Sequence, residues 1–174
     1  MMWKLKYYRW ASYVAISLFL VGCTVSYSFT GASIPIEAKT FTIRDISNVA
    51  PTINPSLASD LEYALTEKMM RQTRLTEADF DGDLVYDITI VGYNVTPIAV
   101  TGGEDAQATQ NRLTIRAKVK FQNRYDKEAD FERTFSKYAD FDNSSNFMDE
   151  EEGLVTNIID QLVDDIFNAS VANW

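Results

Sequence analysis

The chain has 174 residues, one cysteine and no histidine, with 25 acidic against 16 basic side chains and a net charge of −9. Affinity for a phosphate backbone comes from cationic side chains, so this balance excludes nucleic acid as a partner. The missing histidine removes the commonest general base and metal ligand, and a lone cysteine leaves neither an internal disulfide nor thiolate metal chemistry, so the composition argues against an enzyme and implies no cofactor and no metal.

The first ten residues carry Lys4, Lys6 and Arg9 and no acid, and an apolar run from Ala11 to Val21 follows. That order is the charged and apolar part of a secretory signal, and the run falls well short of the ~18–20 residues that a spanning helix needs. Leu20-Val21-Gly22-Cys23 matches the lipobox of bacterial lipoproteins. Residues 1–22 are therefore expected to be a cleaved signal peptide, and Cys23 the lipid-bearing first residue of the mature chain. Two or three acyl chains on one residue give lasting attachment to a membrane without a span. Cleavage removes the three basic residues named above, leaving 13 basic against 25 acidic side chains in 152 residues, a net charge of −12. A chain of that length buries roughly 70% of its unfolded surface as one domain. Thr24 to Ile36 is small, polar and aromatic, interrupted by Gly31 and Pro35, and reads as a tether. The expected division is a lipidated N-terminus and tether over 23–39 and a single domain over 40–174.

Within that domain, alternation at Thr40 to Ile46 predicts a first strand. Asn54-Pro55 offers a capping side chain and a proline for the first helical position. Leu57, Leu61, Leu65 and Met69 then recur at helical spacing as far as about Gln72. Asp79-Phe80-Asp81-Gly82-Asp83 has aspartates at alternate positions, but its glycine is misplaced for a calcium loop and no bidentate glutamate follows, so it reads as a turn. An extended segment from Leu84 to Val100 places Tyr86, Ile88 and Ile90 on one face until Gly92, where the alternation shifts and a bulge is expected. After Gly102-Gly103, a third segment alternates Leu113, Ile115, Ala117, Val119 and Phe121 with Arg112, Thr114, Arg116, Lys118 and Lys120, an apolar face backed by a cationic one. A fourth segment, Asp130 to Phe141, follows a short polar turn, with Phe131, Phe135, Ala139 and Phe141 sharing a side with Arg133 and Lys137. The chain closes on a long helix from about Phe147 to Ala169 with a continuous apolar stripe. The acidic run Asp149 to Glu152 in its first turns suits the helix dipole.

Strand, helix, three strands, helix is the order of an α+β domain. The economical packing sets two helices on one face of a four-stranded, mainly antiparallel sheet and leaves the other face open. Paired carboxylates between Asp79 and Asp83, and at Asp164-Asp165, could be offered as an active site, but they read as a turn and a solvated helix face.

Several strings along this frame carry a family resemblance. They are Tyr27-Ser28-Phe29-Thr30-Gly31-Ala32-Ser33-Ile34-Pro35, Glu37-Ala38-Lys39-Thr40-Phe41, Asn54-Pro55 and Gln72-Thr73-Arg74-Leu75, with Gly92-Tyr93-Asn94-Val95-Thr96-Pro97 and Phe135-Ser136-Lys137-Tyr138-Ala139-Asp140-Phe141. Together they resemble the LptE family of outer-membrane lipopolysaccharide-assembly lipoproteins, in the form found in Bacteroidota. The resemblance implies a two-helix, four-strand α+β domain. It also implies a lipoprotein at the outer membrane, facing the periplasm, that partners and plugs the lipopolysaccharide-translocating β-barrel, an LptD-like protein, and aids lipopolysaccharide delivery to the cell surface. A lipoprotein adaptor or pilot for a different outer-membrane channel or secretion ring would share the anchor and the fold. Under the family reading Arg112, Arg116, Lys118 and Lys120, spaced about 6–7 Å along one strand face where they alternate, are candidates for the phosphates or acidic sugars of lipopolysaccharide. The same residues would also keep an exposed strand soluble, or meet acidic residues of a barrel wall.

Overall fold

Leu113, Ile115, Ala117, Val119 and Phe121, the cleanest alternation in the sequence, lie on an inner strand and are each no more than 1% exposed. The computed structural model describes residues 34–52, 54–99 and 108–171; Cys23, the signal segment and the tether as far as Ser33 lie outside the described residues. The elements in chain order are β1 (Thr40–Ile43), β2 (Ser47–Asn48), α1 (Leu57–Gln72), β3 (Thr76–Glu77), β4 (Leu84–Ala99), β5 (Ala108–Asn123), β6 (Phe131–Asp142) and α2 (Phe147–Ser170), with a short 3-10 turn at Lys127–Ala129 between β5 and β6.

The sheet corrects the expectation of four mainly antiparallel strands. It has six strands in the order β3-β1-β4-β5-β6, with β2 also on β4, and it is mixed: β1 and β2 run parallel to β4, β3 runs parallel to β1, and β4, β5 and β6 form an antiparallel meander. The parallel half follows from connectivity, because a chain that returns to its neighbour through a helix comes back in the same direction. The strand expected over Thr40 to Ile46 is interrupted, with β1 registering against Leu84 to Tyr86 and β2 against Thr89 and Ile90 further along β4. Two-residue strands such as β2 and β3 are too short to show a period.

One hydrophobic core joins the covered face of the sheet to both helices. Leu57, Leu61, Leu65 and Met69 of α1 are buried against it, as are Val155, Ile158, Ile159, Leu162, Val163, Ile166 and Phe167 of α2. Tyr86 sits at its centre, its ring 5.0 Å from that of Phe121. Its hydroxyl donates to Ser170 Oγ at 2.9 Å, and Ser170 in turn donates to the Ile166 carbonyl at 2.7 Å. Burial pushes this phenol far above its ordinary pKa, which keeps it a neutral donor.

One local expectation is revised and two are extended. Helix α1 begins at Leu57 rather than at Pro55, because Asn54 Oδ1 accepts from the N–H and hydroxyl of Ser56 at 3.1 Å each and closes a turn ahead of the helix. Arg133 and Lys137 lie on the helix side of β6 without breaking the core, since β6 is a sheet edge. Arg133 sits over the rings of Phe131 and Phe135, and Lys137 reaches Asp165 of α2 at 2.9 Å. The acidic run of α2 has a tertiary role besides its dipole: Glu151 accepts from Tyr93 Oη at 2.5 Å and Asn54 Nδ2 at 2.9 Å, tying the loop before α1 to β4.

Candidate functional site

The two ends of β4 are held in different ways, and together they set the open face of the sheet. At its start the aspartate-rich turn is fastened to β1. Asp83 is 9% exposed and its carboxylate accepts from the N–H of Lys39 at 2.9 Å and of Thr40 at 3.2 Å, and from the Thr40 hydroxyl at 3.1 Å. The bond from Lys39 leads these contacts in holding the Asp83 carboxyl below the usual range, against the opposing effect of burial. Arg124, from the turn between β5 and β6, adds ion pairs to Asp83 at 3.6 Å and Asp81 at 3.1 Å. Thr42 donates to the Ala78 carbonyl at 2.6 Å and accepts from the N–H of Gly82 at 3.0 Å. The turn lies so close to β1 that a methyl on Gly82 would stand 2.8 Å from the backbone of Phe41 and Thr42. This is scaffold, and it accounts for two of the alternate aspartates, Asp81 and Asp83, by bonds to the chain itself.

Further along, the register between β4 and β5 shifts between Ile90 and Gly92, as the interrupted alternation implies. Beyond the bulge β4 has no second neighbour among the described residues, which is why Pro97 is tolerated within a strand.

The four candidate cations of β5 all fall on the open face, and the register sorts them. Arg112 stands opposite Asp140 of β6 and holds it with two bonds, Nε to Oδ1 at 2.7 Å and Nη2 to Oδ2 at 2.8 Å, while its guanidinium lies 3.7 Å from the centroid of the Tyr138 ring. The Arg112 hydrogen bond is the leading cause of the lowered Asp140 pKa. Lys118 pairs with Glu132 at 2.5 Å and is the leading cause of the lowered pKa there. Lys120 stands between Asp87 and Glu132. Arg116 differs: its direct neighbours are Gly92 on β4 and Ser136 on β6, both uncharged, and no carboxylate pairs with it among the described residues. What reads in the sequence as a uniform ladder is two cations closed by carboxylates, Arg112 and Lys118, and two that hold none among the described residues: Arg116, with no acid opposite it, and Lys120, whose neighbours Asp87 and Glu132 pair with Arg44 and Lys118.

Sequence reasoning found the cations and missed their partners, Asp87, Glu132 and Asp140. The signal was available in part. Once the turn between β5 and β6 is fixed, antiparallel register sets Lys120 opposite Glu132 and Arg112 opposite Asp140. The place of Gly92 beneath Arg116 depends on the bulge and had no such signal.

No helix among the described residues is long and apolar enough to cross a membrane. No curated protein matches the chain by sequence. Among solved structures, a minor lipoprotein from Acinetobacter baumannii is similar at 15% identity with a TM-score of 0.48, over 75% of this chain and 91% of that one. Rare lipoprotein B from Shewanella oneidensis is similar at 12% identity with a TM-score of 0.47, over 74% and 92% respectively. A family model, LptE, described as lipopolysaccharide-assembly, matches residues 38–170, from the buried Ala38 to Ser170 at the end of α2. The match takes in every strand and both helices, and the chain belongs to the LptE lipopolysaccharide-assembly family.

Proposed function

We propose that this chain is a non-enzymatic outer-membrane lipoprotein, anchored through acylated Cys23 and facing the periplasm, that partners and plugs the lipopolysaccharide-translocating β-barrel and aids lipopolysaccharide delivery to the cell surface. In this reading residues 1–22 are the signal, 23–39 the lipidated N-terminus and tether, and 40–174 the working domain. The observation that carries it is family membership across the whole α+β domain. The lipobox at Leu20 to Cys23 supports the anchor. A wide barrel encloses an aqueous channel unless something fills it, and a tethered domain with a polar outer surface suits that place.

The open face of β5 is the part that would meet lipopolysaccharide. On a chain of net charge −9 a phosphate is repelled at long range and must find a local cation. Arg112 and Lys118 already hold carboxylates, so the reading places the anion nearest Arg116, with Lys120 next to its pair of acids.

The test replaces Arg116 and Lys118 together with glutamine in the full-length lipoprotein. It measures lipopolysaccharide binding, and in parallel identifies by mass spectrometry the barrel that co-purifies. Lost lipopolysaccharide binding with the barrel retained is the expected result. Loss of the barrel alone would make the face a wall contact, and no change in either would end the functional reading of the face. Co-purification of an unrelated channel would replace the translocon with the adaptor reading. Cys23→Ala is expected to accumulate as an unprocessed or mislocalised precursor, and an unmodified Cys23 in the mature wild-type protein would overturn the anchor.

A further inference from the structure

Gly92 interrupts a strand otherwise rich in β-branched and aromatic residues, where a glycine weakens packing and adds unfolded-state entropy. Its backbone does not need glycine, since no described glycine has a positive φ. Nor is backbone what a methyl there would meet first. The three nearest atoms to such a methyl all belong to one side chain: Arg116 Nε at 2.6 Å, Nη2 at 3.0 Å and Cζ at 3.2 Å. The space that a side chain at 92 would fill is filled by the guanidinium of Arg116. Gly82 makes the contrast, because there the same methyl meets the backbone of β1 and nothing can give.

The bulge contributes to this arrangement. It falls at the point where Gly92 registers with Arg116, and bulges of this kind re-aim side chains. Arg116 is thus laid against bare backbone on one side and faces Ser136 on the other, while Arg112 and Lys118 are neutralised by Asp140 and Glu132. A planar guanidinium without a carboxylate matches two oxygens of a phosphate monoester, and the missing side chain at Gly92 gives it room to lie against the strand in a pose that a methyl there would displace.

We propose that Gly92 is a positioning residue, and that it and Arg116 form a seat for one phosphate monoester on the open face. Phosphate recognition is thereby centred on Arg116 rather than on Arg112 and Lys118, which already hold carboxylates. The proposal rests on the open-face reading only for the source of the phosphate, which is either a lipopolysaccharide or a free sugar phosphate.

The test uses the full-length lipoprotein in detergent, titrated with glucose 1-phosphate, with inorganic phosphate, and with glucose as the neutral control, following the arginine Nε–H signals by NMR. Saturable movement of the Arg116 signal with the two phosphates and not with glucose is expected. Arg116→Gln abolishes it. Gly92→Ala, which changes no charge, weakens it on the order of tenfold, the equivalent of about 1.4 kcal/mol. Lys118→Gln leaves it in place. Should Gly92→Ala fail to fold, Arg116→Lys takes its role, keeping the charge while losing the fork, with the same weakening expected. Wild-type binding by Gly92→Ala, equal losses from every cation removed, or no saturable phosphate binding would each overturn the seat. Lipopolysaccharide and its dephosphorylated form, run in parallel, separate the two claims. Equal binding of both forms with no effect at Arg116 sinks the seat and spares the function. Binding of glucose 1-phosphate at Arg116 without lipopolysaccharide binding upholds the seat and assigns it to a free sugar phosphate.

Discussion

The two faces of β5 are made from alternate residues of one strand and are stabilised by different physics. On the covered face Leu113, Ile115, Ala117, Val119 and Phe121 are removed from water, and burial of a large apolar side chain contributes about 1.5–3 kcal/mol whatever its orientation. On the open face the contributions are ion pairs among exposed side chains, which depend on distance and angle and are screened by salt. The covered face therefore decides whether the domain folds. The open face is free to be arranged for something else. The start of β4 lies between these extremes, with a carboxylate and a glycine shut inside the turn that fastens β4 to β1.

If that division is right, substitutions should fall into a graded series. The largest effect is expected on the covered side: Leu162→Asp places an unpartnered carboxylate at a position with no exposure and should cost about 4 kcal/mol or more, read as loss of cooperative thermal unfolding. Retained stability would mean that α2 packs elsewhere. Gly82→Ala comes next, at about 1–3 kcal/mol, because the methyl would press on β1 backbone that cannot move aside. Gly92→Ala should leave the thermal midpoint close to wild type, since only a flexible side chain yields, and similar losses at the two glycines would break the distinction between scaffold and seat.

Asp83→Asn should cost about 1–3 kcal/mol near neutral pH, where the carboxylate accepts three hydrogen bonds from β1 and the residue before it. The pH dependence has a definite sign. The folded-state pKa of Asp83 lies below its ordinary value of 3.8, so its contribution is fully present above about that pH and is lost as pH falls through the folded value. Urea denaturation of the two proteins should therefore converge in strongly acidic solution, and a gap that widened on acidification would show that Asp83 does not act through its charge. The smallest effect is expected for Lys118→Ala, an exposed pair whose removal should leave the denaturation midpoint unmoved.

Much of the domain was legible along the chain. Helix α1 ends at Gln72, the bulge falls at Gly92, and α2 spans Phe147 to Ser170, because amphipathic periodicity over many residues is a local record of which face is buried. The two-residue strands left no such record. The sheet needed them to become six-stranded and mixed. The candidate site was half legible: alternation alone puts Arg112, Arg116, Lys118 and Lys120 on one face, but not what stands opposite each.

The sequence by itself determined the two helical stripes and the two-faced character of β5, properties of residues close together in the chain. Tertiary structure alone decided which cation has a carboxylate and which lies against bare backbone. That choice depends on register across strands whose order is set by long-range pairing, and on a one-residue bulge that shifts every later partner of β4. Arg112 and Arg116 are chemically the same four residues apart on one strand; Asp140 opposite the first and Gly92 beside the second make one a closed pair and the other an open guanidinium.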